Sequence, residues 1–104
     1  MPKCFFLVRA VVAAPLREKF DRWYATDHLP WAIKAFKCEK AWRFWGTAEE
    51  GVHYAVYRFA DKASCDAALG ADEFKALVAD FNRAFPEGVT RTRDVVMLAE
   101  EREA

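Results

Sequence analysis

The sequence carries no surplus of either charge: 16 lysines and arginines are matched by 16 aspartates and glutamates. Net charge therefore gives no reason to expect a nucleic-acid or membrane partner. Cysteine is scarce. Cys4, Cys38 and Cys65 are an odd number at irregular spacings, which argues against a disulfide framework and a zinc site and fits a reducing cytoplasm. They read as small buried hydrophobes rather than reactive thiols. No apolar stretch approaches the ~18–20 residues of a membrane span. The opening MPKCFFLVRAVVAAP has the lysine, apolar run and small residues of an export signal, but Arg9 interrupts a run that is already short, and a first strand is the better reading. A glycine-rich phosphate loop, a nucleophile elbow and a dinucleotide fingerprint are all missing. The two histidines, His28 and His53, do not make a metal centre on their own. No metal, nucleotide or other cofactor is implied.

What the chain has in quantity is apolar and aromatic surface: 54% of its 104 residues are hydrophobic and 15% aromatic. That length makes one small domain, residues 1–104. A chain this short buries only part of its surface and is often helped by self-association. The surplus of Trp and Phe must go into a core, a pocket or an interface.

Periodicity places the elements. Residues Cys4 to Val12 form a first strand, buried on both faces apart from Arg9. Pro15 lies near the start of a helix, where a missing N–H costs little. Leu16, Phe20, Trp23, Tyr24 and Asp27 follow one helical stripe, with His28 at its edge. Pro30 disfavours helical geometry at Leu29, so this helix is expected to end near Asp27 or His28, and Pro30 to open a second short helix, Trp31 to Phe36. Ala41 to Thr47 is a second strand, with Trp42 and Phe44 on one face and Arg43 and Trp45 on the other. Glu49-Glu50-Gly51 marks a hairpin turn into a third, Val52 to Phe59. Its faces are Val52, Tyr54, Val56, Arg58 and His53, Ala55, Tyr57, Phe59. Asp61 caps a helix through Leu69. A further helix, Asp72 to Phe85, carries the stripe Phe74, Leu77, Val78, Phe81 and Phe85. Val89 to Ala99 is the last strand, with Arg91 and Arg93 on one face and Thr90, Thr92 and Asp94 on the other.

The order β-α-β-β-α-β, with each helical step split in two, is the ferredoxin-like α+β arrangement: a four-stranded antiparallel sheet with helices on one face. The uncovered face carries bulky apolar residues. Packing it against the same face of a second copy is the simple remedy, so a homodimer is expected.

The segment FDRWYATDHLPWAIKAF also resembles the helix-one signature of the dimeric α/β-barrel superfamily, most of all its EthD-like branch. There a Trp/Tyr pair is followed by a histidine and a proline, here Trp23, Tyr24, His28 and Pro30. The ending FKALVADFNRAFPEGVTRTRDVVML resembles the last helix and strand of those proteins. The resemblance implies a dimeric α/β barrel with a pocket between helices and sheet in each protomer and the motif histidine at its mouth or wall. It leaves the reaction open among monooxygenases, isomerases, dehydratases, haem proteins and members of no known activity.

His28 is the candidate general acid or base, because imidazole titrates near neutrality and aromatic burial with one carboxylate nearby would tune it. The bland alternative is a histidine that bonds the last carbonyls of the helix. Asp27 is its candidate companion, although adjacent helical residues do not face each other and a direct pair needs the chain to turn. Candidate ligand contacts are Trp23, Tyr24, Trp31 and Tyr54, the two tyrosines above all because a buried hydroxyl needs a partner. If Arg9 or Arg43 points into a pocket, a carboxylate or phenolate ligand follows; an inter-subunit salt bridge or a snorkelling side chain at the rim is the alternative. His53 is expected at the surface. The expected function is a small cofactor-independent enzyme moving a proton on a hydrophobic, cyclic or aromatic metabolite through His28. The rivals are a non-catalytic homodimer that binds a small ligand or answers stress, and a haem protein with His28 or His53 as axial ligand.

Overall fold

Two-residue alternation decides which side of each strand is covered. In a computed structural model, which describes residues 2–104, β1 (Cys4–Val12) buries Cys4, Phe6, Ala10 and Val12 and turns Phe5, Leu7, Arg9 and Val11 the other way. β3 (Val52–Phe59) lies beside it antiparallel and places His53, Ala55, Tyr57 and Phe59 on the buried face. β2 (Lys40–Trp45) and β4 (Val89–Met97) complete a four-stranded antiparallel sheet in the order β2-β3-β1-β4. The hairpin between β2 and β3 turns through Gly51, whose φ of +79° is a conformation that L side chains rarely adopt. With helices on one face of this sheet, the fold is the ferredoxin-like α+β arrangement.

The open face differs from the expectation of a strand buried on both sides. Phe5 and Leu7 are half-buried and Val11 exposed, because within one chain no layer covers them. Trp42 packs on Phe5 with ring centroids 6.4 Å apart, while Phe44 and Tyr54, at 51% and 38% exposure, extend this apolar surface.

The first helical passage also departs from the expected break. A 3-10 turn (Ala14–Leu16) leads into α1 (Arg17–Trp23), a π-helical turn (Tyr24–His28) and α2 (Leu29–Phe36) without leaving helical geometry. Pro30 sits in the first turn of α2. An α-helical proline here would clash with the carbonyl four residues back. The wider π turn relieves that conflict: the Leu29 N–H reaches the Tyr24 carbonyl five residues back. The same widening turns Asp27 out into solvent and leaves His28 facing in. Lys37 ends α2 in the left-handed conformation, φ +53°.

α3 (Lys62–Leu69) is capped by Asp61, whose carboxylate accepts the Ser64 N–H at 2.8 Å. α4 (Asp72–Ala84) buries Leu77 and Phe81. The core under these helices is largely aromatic, and Phe20 is at its centre. Among the described residues no helix is long and apolar enough to cross a membrane.

Candidate functional site

The π turn brings Tyr24 and His28 onto one inward face, with ring centroids 4.8 Å apart. Trp23 stacks on His28 from behind at 4.7 Å, and Phe81 of α4 meets its edge at 5.2 Å. His28 is only 7% exposed, and its Nδ1 is buried with no hydrogen-bond partner. Burial is the main reason its pKa falls from 6.5 to about 4; Asp80 of α4 opposes the fall and Arg91 adds to it. The imidazole is therefore neutral at physiological pH and available as a proton acceptor.

His28 lines a pocket between the helices and the sheet. Phe6, Phe36, Phe74, Leu77 and Val78 supply apolar walls, Tyr24 and Tyr57 supply hydroxyls, and Arg91 and Arg93 of β4 supply positive charge. The two hydroxyl oxygens lie 3.4 Å apart. One can donate to the other, which leaves one hydroxyl hydrogen for something else. Burial pushes Tyr24 up to about 12 and Tyr57 well above the ordinary phenol value, so both remain protonated. The enclosed volume is about 40 Å³, and the free space between atoms, mouth included, is about 410 Å³. A cavity of about 150 Å³ takes benzene, so a single ring fits here only with part of it in the mouth or after side chains at the mouth move.

The other residues singled out from sequence are dispersed. Asp27 is exposed and has no recorded bond to His28; the carboxylate that acts on His28 is Asp80. Trp23 supports the imidazole from outside the pocket lining. Trp31 is half-buried and donates its indole N–H to Glu73 at 3.0 Å. Tyr54 lies on the opposite face of the sheet, so Tyr57, three residues on, partners Tyr24 instead. Arg9 is on that open face with Glu49 at 3.4 Å.

Arg43 forms a second constellation. Its guanidinium bonds Asp21 at 2.6 Å and donates from Nε to His53 Nε2 at 3.0 Å, while Trp45 donates to the same Asp21 oxygen at 2.9 Å. Those two donors hold the Asp21 carboxyl below its usual range. His53 is not at the surface: it is 1% exposed, enclosed by Phe20, Tyr24 and Trp45 at centroid distances of 5.0, 4.8 and 4.9 Å. Burial, then the Arg43 charge, lower its pKa to about 4. A haem finds little purchase on either imidazole, since His53 Nε2 is occupied by Arg43 and the space beside His28 is far smaller than a porphyrin.

The two histidines make stability depend on pH. Folded, both stay neutral down to about pH 4, whereas unfolded they titrate near 6.5. Between those values the unfolded chain binds more protons, so stability is lost as pH falls from 6.5 towards 4. The loss is on the order of 3 kcal/mol per histidine. Thermal unfolding at pH 7 and pH 5 should show a clear drop in Tm at the lower pH; an unchanged Tm would contradict the burial of both rings.

No family model and no curated protein matches the chain. Solved structures do match it. An EthD family protein from Bacillus halodurans superposes with a TM-score of 0.67 at 19% identity, over 88% of this chain and 96% of that one. A putative antibiotic biosynthesis monooxygenase from Deinococcus radiodurans gives 0.72 at 7% identity, over 97% of each chain. SnoaB, a cofactor-independent oxygenase from Streptomyces nogalater, gives 0.67 at 13% identity, again over 97% of each. At these identities the likeness establishes the shared fold, the one that the sequence resemblance implied.

Proposed function

We propose that this chain is a small enzyme that removes a proton from a hydrophobic, cyclic or aromatic metabolite, with His28 as the base and without an organic cofactor. The observation that carries the reading is His28 itself: a neutral imidazole with an unpartnered Nδ1, in the wall of an apolar pocket, held by Trp23 and Phe81. A base must be deprotonated at working pH and within reach of the substrate, and burial secures the first condition. The proton moves from an acidic C–H or O–H of the substrate to imidazole nitrogen, and the electron pair of the broken bond stays on the substrate as an enolate or phenolate. A hydroxyl of the Tyr24–Tyr57 pair can donate a hydrogen bond to the developing oxyanion. Returning the proton to a different carbon completes an isomerisation; loss of a leaving group completes a dehydration; capture by dioxygen, as co-reactant, begins an oxygenation. The EthD, monooxygenase and oxygenase descriptions of proteins with this fold support an enzyme of this kind.

The working unit is a homodimer formed through the open sheet face. Phe5, Leu7, Val11, Trp42, Phe44, Tyr54 and Val56 make that face too apolar to stay in water.

Native mass spectrometry of freshly purified protein would give the subunit count and any retained small molecule. That molecule, incubated with the protein in D2O, should gain deuterium at its acidic carbon, or at a position conjugated with it, faster than without protein. A retained ligand that gains no deuterium and is not otherwise converted would reduce the chain to a binding protein. A monomer would overturn the dimer.

A further inference from the structure

The pocket is walled mainly by apolar and aromatic side chains, yet two arginines face the same space. Arg91 and Arg93 lie two residues apart on β4, so both project from the helix-covered face, opposite Ala10 and Val8 of β1. Those small and medium partners leave the guanidinium groups room to lie across the sheet. Of the other arginines all but Arg22 are paired with acids: Arg9 with Glu49, Arg17 with Glu50, Arg43 with Asp21, Arg58 with Glu39, Arg83 with Asp80 and Arg102 with Glu100. Among the described residues neither Arg91 nor Arg93 has a carboxylate within ion-pair distance. Arg91 instead stacks on Phe81, its guanidinium carbon 3.8 Å from the ring centroid, and bonds the side-chain oxygen of Asn82. Arg93 lies over Phe74 at 5.3 Å.

Two like charges beside an apolar cavity with no counter-ion are unfavourable in the empty protein. Burial and the charge of Arg93 both disfavour the protonated form of Arg91. An arriving anion removes that disadvantage. Stacking on Phe81 and Phe74 also holds each guanidinium by its face and leaves in-plane N–H donors unspent, the arrangement that recognises a carboxylate.

We propose that the pocket takes a small hydrophobic carboxylate, its apolar body between Phe6, Phe36, Leu77 and Val78 and its carboxylate received by Arg91 and Arg93. This rests on the reading of the pocket as the working site and names its substrate class. The enclosed volume of about 40 Å³ limits the body to about one ring, partly in the mouth.

Benzoate and its neutral isostere benzamide test the proposal directly. Each is titrated into the intact protein while the methyl resonances of Leu77 and Val78 are followed by NMR. Benzoate should shift both saturably and bind at least tenfold more tightly than benzamide. The Arg91→Gln/Arg93→Gln double variant should bring benzoate down to the benzamide level, whereas His28→Gln should leave the preference in place. Arg93→Gln alone, at an exposed side chain, carries the same test if the double variant fails to fold; it should remove part of the preference. Equal binding of the two probes, no saturable benzoate shift, or a preference that survives loss of the arginines would overturn the proposal. A benzoate preference with no proton transfer at His28 would leave carboxylate recognition standing and remove the base. Deuterium exchange without a benzoate preference would do the reverse.

Discussion

Replacing Phe20 with alanine is expected to cost ~3–5 kcal/mol of stability. Phe20 is fully buried, and the rings of Trp23, Tyr24, Trp45, His53, Phe81 and Phe85 all have centroids within 6.5 Å of its own. Those rings come from α1, the π turn, β2, β3, α4 and the residue after α4, so no single element can move to fill the space. A domain of this size has a total stability of about 5–15 kcal/mol, so the variant should be near the edge of folding. It should also loosen the site, because Phe20 touches both Tyr24 and His53. Urea unfolding gives the measurement: the midpoint should fall sharply with little change in slope. Phe20→Leu, which keeps most of the volume, should lose much less. A loss below about 1 kcal/mol for the alanine variant would mean that the surrounding rings close the cavity, and the aromatic core would not be the rigid frame described.

Replacing His28 with glutamine should lower kcat by ~10²–10⁴ for the substrate recovered with the protein, the usual contribution of a positioned base. Glutamine keeps a similar length and polarity but cannot take the proton. The change should fall on kcat with KM little altered, because the imidazole acts when the bond breaks and the apolar walls and arginines do most of the holding. The pH profile supplies the sign. A base with a free-enzyme pKa near 4 is active above that value, so kcat/KM should rise through about pH 4 to a plateau and show no fall near 6.5 from this group. Asp80 and Arg91 are the charges that act on His28 from the elements packed against it, and they act in opposite directions. Unchanged kcat in His28→Gln would leave the residue as a brace for the π turn.

Much of this arrangement could be read before any coordinates. Strict alternation put Arg43 and Trp45 on one face of β2, and His53, Ala55, Tyr57 and Phe59 on one face of β3, where they lie. His28 stands out because a titratable ring falls beside Trp23, Tyr24 and a proline. The errors have local causes. Pro30 reads as a break because the residue before a proline is disfavoured in helical geometry; the structure nonetheless holds Leu29 helical, at φ −64° and ψ −46°, where the π turn carries the chain into α2. The same turn explains why Asp27 faces solvent. His53 reads as a surface residue from its place at the start of β3, next to the hairpin turn, but Phe20 and Trp45 extend the covered face as far as that residue. Tyr54 is the expected pocket member on the strength of its hydroxyl, although alternation puts it on the face opposite Tyr57. The pairing of Arg91 and Arg93 with Ala10 and Val8 depends on β4 lying beside β1, a non-local contact that no window of the sequence contains.

The most direct measurement is an NMR titration of the two imidazoles, with the resonances assigned by comparing wild type with His28→Gln. A midpoint near pH 4 for His28 is expected, or no titration at all before the protein unfolds. Either would establish the buried, neutral base on which the proposed proton transfer depends. A midpoint near the ordinary 6.5 would contradict it: His28 would then be a solvated side chain at the helix surface, and the pocket would have lost the group that makes it an active site.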